Sequence, residues 1–293
     1  MSKFVLTFQK ERTIISPSSD LVSLGILPKQ ISEYTDDDIG SIIFIPYTDE
    51  SGKIILYNDR HQPPPYLYGG EPPYQYNGSI EFEVVGVNHH KDINDESKPT
   101  ITLMTRNIIR HATFDAREPN NPNFYRANGG NNRWSVSNIR QWLNSEDKAN
   151  KWFTPQHEYD TAPGTTNINV GSEYVDEIKA AAYVEDPGFL AGFSDEIKQH
   201  FATVRNKTML CNYDKELLSK NYEETEDKVF LPSWTEMGGD EKFIQEGIHL
   251  NQKFLDGWSR VKAEFSVMHL RWADGFYWLR TANPGRSSWV YVN

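Results

Sequence analysis

Short apolar stretches, set between long polar segments rich in proline and glycine, recur along the chain and predict strands more often than helices. Phe4-Val5-Leu6-Thr7-Phe8 carries a strand pattern that ends before the turn cluster Ser16-Pro17-Ser18-Ser19-Asp20. Ile42-Ile43-Phe44-Ile45 and Lys53-Ile54-Ile55-Leu56-Tyr57 flank Asp49-Glu50-Ser51-Gly52, which predicts a hairpin. Glu81 to Val87 and Thr100 to Met104 read as two further strands, separated by a charged, solvated tip from His89 to Lys98. The densest pattern runs from Trp272 to Asn293, where aromatic residues stand on both sides of Pro284-Gly285 and predict a hairpin with a polar tip, Asn283 to Ser288. Strand alternation puts Tyr277 and Leu279 on one face and Phe276, Trp278 and Arg280 on the other, so one face can be core while the other presents ring edges and a guanidinium.

Helical spacing is rarer. Ser137 can cap a short helix in which Ile139, Trp142 and Leu143 share a face. A second start lies at Ser194, where Asp195 and Glu196 suit the positive helix end and Ile197 and Phe201 lie on one side. Ser233 with Glu236 three residues on is a capping box for a third. Pro63-Pro64-Pro65 and Pro72-Pro73, interleaved with Tyr66, Tyr68, Tyr74 and Tyr76, predict an extended loop. The Asn-rich run Asn120 to Asn132, Thr161-Ala162-Pro163-Gly164 and the acidic Glu223-Glu224-Thr225-Glu226-Asp227 also read as loops.

Composition narrows the picture. The chain has 293 residues, of which 13% are aromatic against a hydrophobic fraction of 38%, so its core must be built from large rings. Residues 1–38 hold too few apolar side chains for a core of their own and are expected to form an N-terminal arm that docks on other subunits, with residues 39–293 as one domain. A net charge of −11 argues against a nucleic-acid partner, because that affinity comes largely from neutralising phosphates. No apolar run approaches the roughly 20 residues of a bilayer span, so no membrane insertion is expected. Cys211 is the only cysteine, which excludes an intrachain disulfide and a thiolate zinc cage.

The blocks Trp134 to Asn144, Lys151-Trp152-Phe153-Thr154-Pro155-Gln156-His157, Pro187 to Phe193, Val229 to Gly238 and Tyr277-Trp278-Leu279-Arg280-Thr281 resemble a domain family of unknown function common in phages and prophages. That family is similar to the C-type-lectin-like fold of formylglycine-generating enzymes and of phage tropism proteins. The resemblance implies an α+β domain with a C-type-lectin-like fold, short helices around a twisted antiparallel sheet and long irregular loops. It further implies that Trp142, Leu143, Trp278 and Leu279 are core and that Arg140 and Arg280 are buried or half-buried hydrogen-bond donors. The family's usual tail, a Ser-Asp-Gly turn and a Gly-Val-Arg-Pro segment, does not follow Val292-Asn293, which leaves a strand edge for a neighbouring chain to supply or for a smaller domain to close.

An enzyme is not expected. Formylglycine-generating chemistry needs a pair of reactive cysteines and Cys211 stands alone, reading as a small buried hydrophobe. His89-His90 is the only adjacent histidine pair, no His-x-His or His-Glu-x-x-His spacing occurs, and neither a metal nor a cofactor is expected. Glu118-Pro119-Asn120 matches a short calcium-lectin motif, but without its Trp-Asn-Asp partner it reads as an Asn/Pro loop. The expected function is that of a virion-surface protein on the tail, baseplate or capsid, made in the host bacterial cytoplasm and attaching the particle to a host glycan or protein. The alternative is a decoration or scaffold protein without a host ligand, and a homo-oligomer is expected in either case. The candidate contact residues are Trp272, Asn283, Arg286, Ser288, Trp289 and Tyr291 on the final hairpin, since Trp, Tyr and Arg dominate interface energetics and sugars stack on rings.

Overall fold

The computed structural model describes residues 5–9, 20–51, 77–106, 109, 112–168, 182–239, 245–256, 278–285 and 290–292. The strands are β1 (Val5–Gln9), β2 (Ile42–Pro46), β3 (Ser79–Val87), β4 (Thr100–Thr105), β5 (Val204–Met209), β6 (Tyr222–Asp227), β7 (Val229–Phe230), β8 (Trp278–Ala282) and β9 (Val290–Val292). The α-helices are α1 (Phe124–Gly129), α2 (Asn138–Leu143), α3 (Asp195–Lys198) and α4 (Asn212–Leu218). The architecture is mixed α+β, with short helices and small, open antiparallel sheets. Among the described residues no helix is long and apolar enough to cross a membrane.

The largest sheet has the order β2-β3-β4-β1-β7. All six residues of β4 are buried, Thr100, Thr102 and Thr105 included, because β4 is flanked by β3 and β1 and covered on both faces. The segment expected to be an arm contributes to this sheet: β1 pairs antiparallel with β4 on one side and β7 on the other, and Leu6 has no exposed surface. Leu21, Ile26, Leu27, Ile31 and Tyr34 enter the same hydrophobic core. Both hydrogen-bonding edges of β1 are engaged inside the chain. Of the hairpin expected over residues 42–57, the first strand is β2, which pairs with β3 in the register Ile43 opposite Phe82, while Lys53 to Tyr57 lie outside the described residues.

Helix α2 forms where its pattern placed it. Ser137 Oγ accepts from Arg140 N at 3.4 Å, and Ile139, Trp142 and Leu143 are buried. Trp142 donates through Nε1 to Pro187 O at 2.8 Å and meets the ring of Tyr183, on which Trp152 stacks at 5.6 Å. The rings therefore lock α2 to the loop at 183–189. Helix α3 starts after Ser194 as expected but ends at Lys198, so Phe201 joins the core from beyond its end.

Two loop assignments and one helix assignment change. The Asn-rich run contains α1, because Asn123 Oδ1 accepts from Tyr125 N and Arg126 N and caps a helical turn. The acidic run Glu223 to Asp227 is β6, paired along its length with β5. Its alternation is real but polar: Glu223, Thr225 and Asp227 point inward, where Asp227 takes bonds from Trp134 Nε1, Asn206, Thr225 and Arg140. Ser233 and Glu236 form both reciprocal capping bonds, at 2.8 and 3.1 Å, but close a run of turns over 234–238 instead of a helix.

Candidate functional site

The site is assembled where β8 crosses the segment Leu231 to Glu236. Arg280 N donates to Pro232 O at 3.0 Å, which seats β8 and drives the Arg280 side chain inward. The guanidinium is 1% exposed, so Arg280 is the buried donor that the resemblance implied and not a group displayed at the surface of β8. Nη1 and Nη2 of Arg280 each donate to one oxygen of Glu236 at 2.7 Å, and Nη1 also reaches Leu231 O at 2.7 Å. This is the planar two-point match that guanidinium and carboxylate make best.

Histidines complete the arrangement from the far side. Gly86 stands at the register shift between β3 and β4, where an added Cβ would come within 2.8 Å of His89 Cβ. Asn88 takes the left-handed conformation at φ 55°, and its Oδ1 accepts from Thr100 N at 3.1 Å, which turns the chain back over β4. The tip expected to be solvated is consequently folded down: Ile93 N bonds Thr203 O, and Asp92 is 1% exposed. This turn aims His90 Nε2 at Glu236 Oε1 at 3.0 Å and its Nδ1 at Thr102 Oγ1 at 3.1 Å. His89 packs edge-on against His90 with ring centroids 4.4 Å apart.

Glu246 forms the third wall. Its Oε1 accepts from Met209 N at 2.7 Å, and Thr281 Oγ1, which itself accepts from Trp234 N, donates to its Oε2. Together these groups line a cleft of about 270 Å³, with Lys91, Glu96, Arg205 and Lys207 at its rim. The cleft is mixed, with Ile93, Val204 and Ile248 beside the charged groups, and Arg205 is paired with Glu226 at 3.5 Å.

Electrostatics assign the roles. Burial pushes the Glu236 carboxyl up, but the Arg280 guanidinium and the bonds from His90 and Arg280 outweigh it and hold the group well below the usual carboxylate range. Burial, the largest cause, helped by the neighbouring charge of Glu236, keeps Glu246 above its ordinary value despite Arg280. Burial, followed by the neighbouring charge of His90, lowers His89 to about 4, so at neutral pH its imidazole is uncharged. Each Glu236 oxygen already accepts two hydrogen bonds, which leaves it no capacity as a base. The ion pair is a joint, and His89 with the rim side chains is what the cleft offers a ligand.

Ligand atoms of His89, His90 and Glu236 lie within 4.8 Å of one another, the spacing of a metal centre. The saturated oxygens of Glu236 and the adjacent Arg280 charge work against a cation there, since like charges in a buried site repel strongly. Cys211 is buried, bonds Asp214, and its thiol is pushed up to about 11, first by burial and then by Asp214, so it is no nucleophile.

Of the contact residues expected on the final hairpin, Asn283 is half-buried and its Oδ1 accepts from Gly285 N at 3.0 Å, a turn-forming role. Tyr291 is the middle residue of β9, while Trp272, Arg286, Ser288 and Trp289 lie outside the described residues. Leu279 is core as expected, and Arg140 is a half-buried donor to Asp227 at 2.6 Å. His89, His90 and Glu246 were not legible as a site. The Ser233/Glu236 box was visible, but its carboxylate read as a cap and not as the partner of Arg280.

No curated protein and no solved structure matches the chain. The family described as a domain of unknown function (DUF6273) matches residues 100–293, more than half of the length and including α2, β5 to β9 and all of the Glu236–Arg280 joint, and the chain belongs to that family.

Proposed function

We propose that the protein is a non-enzymatic attachment component on the surface of a phage or prophage particle, carried on tail, baseplate or capsid, with a C-type-lectin-like domain that binds a host-surface glycan. The observation that carries this reading is the cleft of about 270 Å³ whose lining includes His89, Lys91, Arg205 and Lys207. Its volume is near the lower bound of roughly 300 Å³ for small-molecule sites and suits a small sugar unit. Its lining combines hydrogen-bonding side chains with the apolar Ile93, Val204 and Ile248, which suits the hydroxyl groups and the apolar face of a sugar ring. Lys91 and Lys207 offer cationic contacts to an acidic sugar, while Arg205 is already paired with Glu226 at 3.5 Å. The phage assignment and the lectin-like architecture rest on the sequence blocks Trp134 to Asn144, Pro187 to Phe193 and Val229 to Gly238, together with short helices set on open antiparallel sheets. Association with other virion subunits and with copies of itself belongs to the same reading.

The test is binding of purified protein to host cell-wall material and to neutral and acidic glycans. Lys207→Ala with His89→Ala is expected to weaken binding at least about 10-fold while thermal stability changes little. The pair Asn283→Ala and Arg286→Ala tests the hairpin independently. Binding lost only in the hairpin variant would move the contact patch there, and a parent that binds no host surface would favour the decoration role.

A further inference from the structure

We propose that Asp115, Glu118 and His157 form a site for one divalent transition-metal ion of the Zn²⁺ class, separate from the cleft and independent of its reading. The carboxylate oxygens and the imidazole nitrogen of these three residues lie within 4.8 Å of one another. Asp115 and Glu118 are 1% and 0% exposed. Asp115 is fixed by two main-chain donors, Asn138 N to Oδ1 at 2.9 Å and Asn131 N to Oδ2 at 2.7 Å. Glu118 Oε2 accepts from Asn121 Nδ2, which orients the carboxylate and leaves Oε1 buried with no hydrogen-bond partner.

That orphaned oxygen faces His157 Nε2 at 3.5 Å, and the nitrogen is also buried without a hydrogen-bond partner. A separation of 3.5 Å is too long for a good hydrogen bond. It matches the edge of a tetrahedral centre, where ligands about 2.1 Å from a metal lie about 3.4 Å apart. An ion would satisfy both orphaned atoms at once.

Charge points the same way. Asp160 approaches the pair, held by Asn138 Nδ2 at 3.1 Å and Gln156 N at 2.8 Å, so three carboxylates share one partly buried region. The other cationic side chain acting on Glu118, Arg126, is paired with Asp214 at 2.6 Å. One imidazole among the donors selects Zn²⁺-like ions over Ca²⁺ and Mg²⁺, which prefer oxygen alone. The side chain of His157 is 21% exposed, which places the cluster near the surface.

The experiment titrates Zn²⁺, Mn²⁺ and Ca²⁺ separately into chelator-treated full-length protein by calorimetry, with circular dichroism confirming the fold. The expected result is one Zn²⁺ bound through this site, with affinity reduced at least about 100-fold in His157→Ala and in Glu118→Gln and unchanged in His89→Ala. His157→Ala removes a partly exposed loop side chain and keeps the test valid if the buried Glu118→Gln fails to fold. Absence of Zn²⁺ binding in the parent overturns the proposal, as does Zn²⁺ binding that survives His157→Ala or is lost in His89→Ala. Preference for Ca²⁺ insensitive to His157→Ala overturns it as well.

Discussion

Glu236 and Arg280 are both buried, and the two-point pair between them is surrounded by groups that depend on it: His90, Ser233, Leu231 and the ring of Phe230, which lies 5.5 Å from the guanidinium carbon. Removing one partner strands the other charge in the interior. Glu236→Gln or Arg280→Met is therefore expected to lower stability by about 3 to 5 kcal/mol, measured by denaturant unfolding. Replacing both together with apolar residues of similar volume should cost less than either single change, and an equal or greater loss would mean the charges contribute more than their own desolvation. His89 gives a pH signature. Its folded value of about 4 lies below the ordinary 6.5, so the unfolded chain binds more protons between these limits. Stability from this group is present above about 6.5 and is lost as pH falls through about 4. At about 1.4 kcal/mol per pKa unit the loss is at most about 3.5 kcal/mol. Glu236, with its depressed value, adds a loss in the same direction at still lower pH. A His89→Gln variant should show a flatter stability profile between these limits, and an unchanged slope would assign the acid loss elsewhere.

Among the elements, α2 is held by its cap and by one ring. Ser137→Ala is expected to cost about 1 kcal/mol, the usual value of an N-cap side chain. Trp142→Ala should cost about 3 to 5 kcal/mol, because it opens a cavity among Tyr183 and Phe189 and strands Pro187 O. Thermal melts of both variants check this ordering, and comparable losses would show that the ring packs loosely. Strand β6 shows a different logic. Its inward residues are Glu223, Thr225 and Asp227, so β6 is joined to the rest of the chain by hydrogen bonds from Arg133, Arg140 and Trp134, and Asn206 of β5 bonds Asp227 within the strand pair. Acidic residues in series usually signal a solvated loop, and only the arrival of donors from residues 133 to 140 makes their alternation a buried strand face.

At the scale of the molecule, β1 closes the gap between β4 and β7 and brings Leu6 to zero exposure. Deleting residues 1–38 is expected to unfold the domain, since it uncovers two strand edges and removes Leu21, Ile26, Leu27 and Ile31 from the core. Loss of the cooperative melting transition is the measurement, and a deletion variant that melts as the parent does would show the segment to be peripheral. The sequence alone determined what depends on near neighbours: α2 with its cap and buried face, the strands β3 and β4, the large-ring core and the single inert thiol. These follow from periodicity and composition, which act over a few residues. The tertiary structure alone decided whatever needs groups distant in the chain: Arg280 meeting Glu236 across 44 positions, His90 meeting it across 146, and β1 lying beside β7. A polar residue in sequence carries no mark of whether a donor waits for it, and burial gives these charges their meaning only once the fold has brought their partners within 3 Å or so.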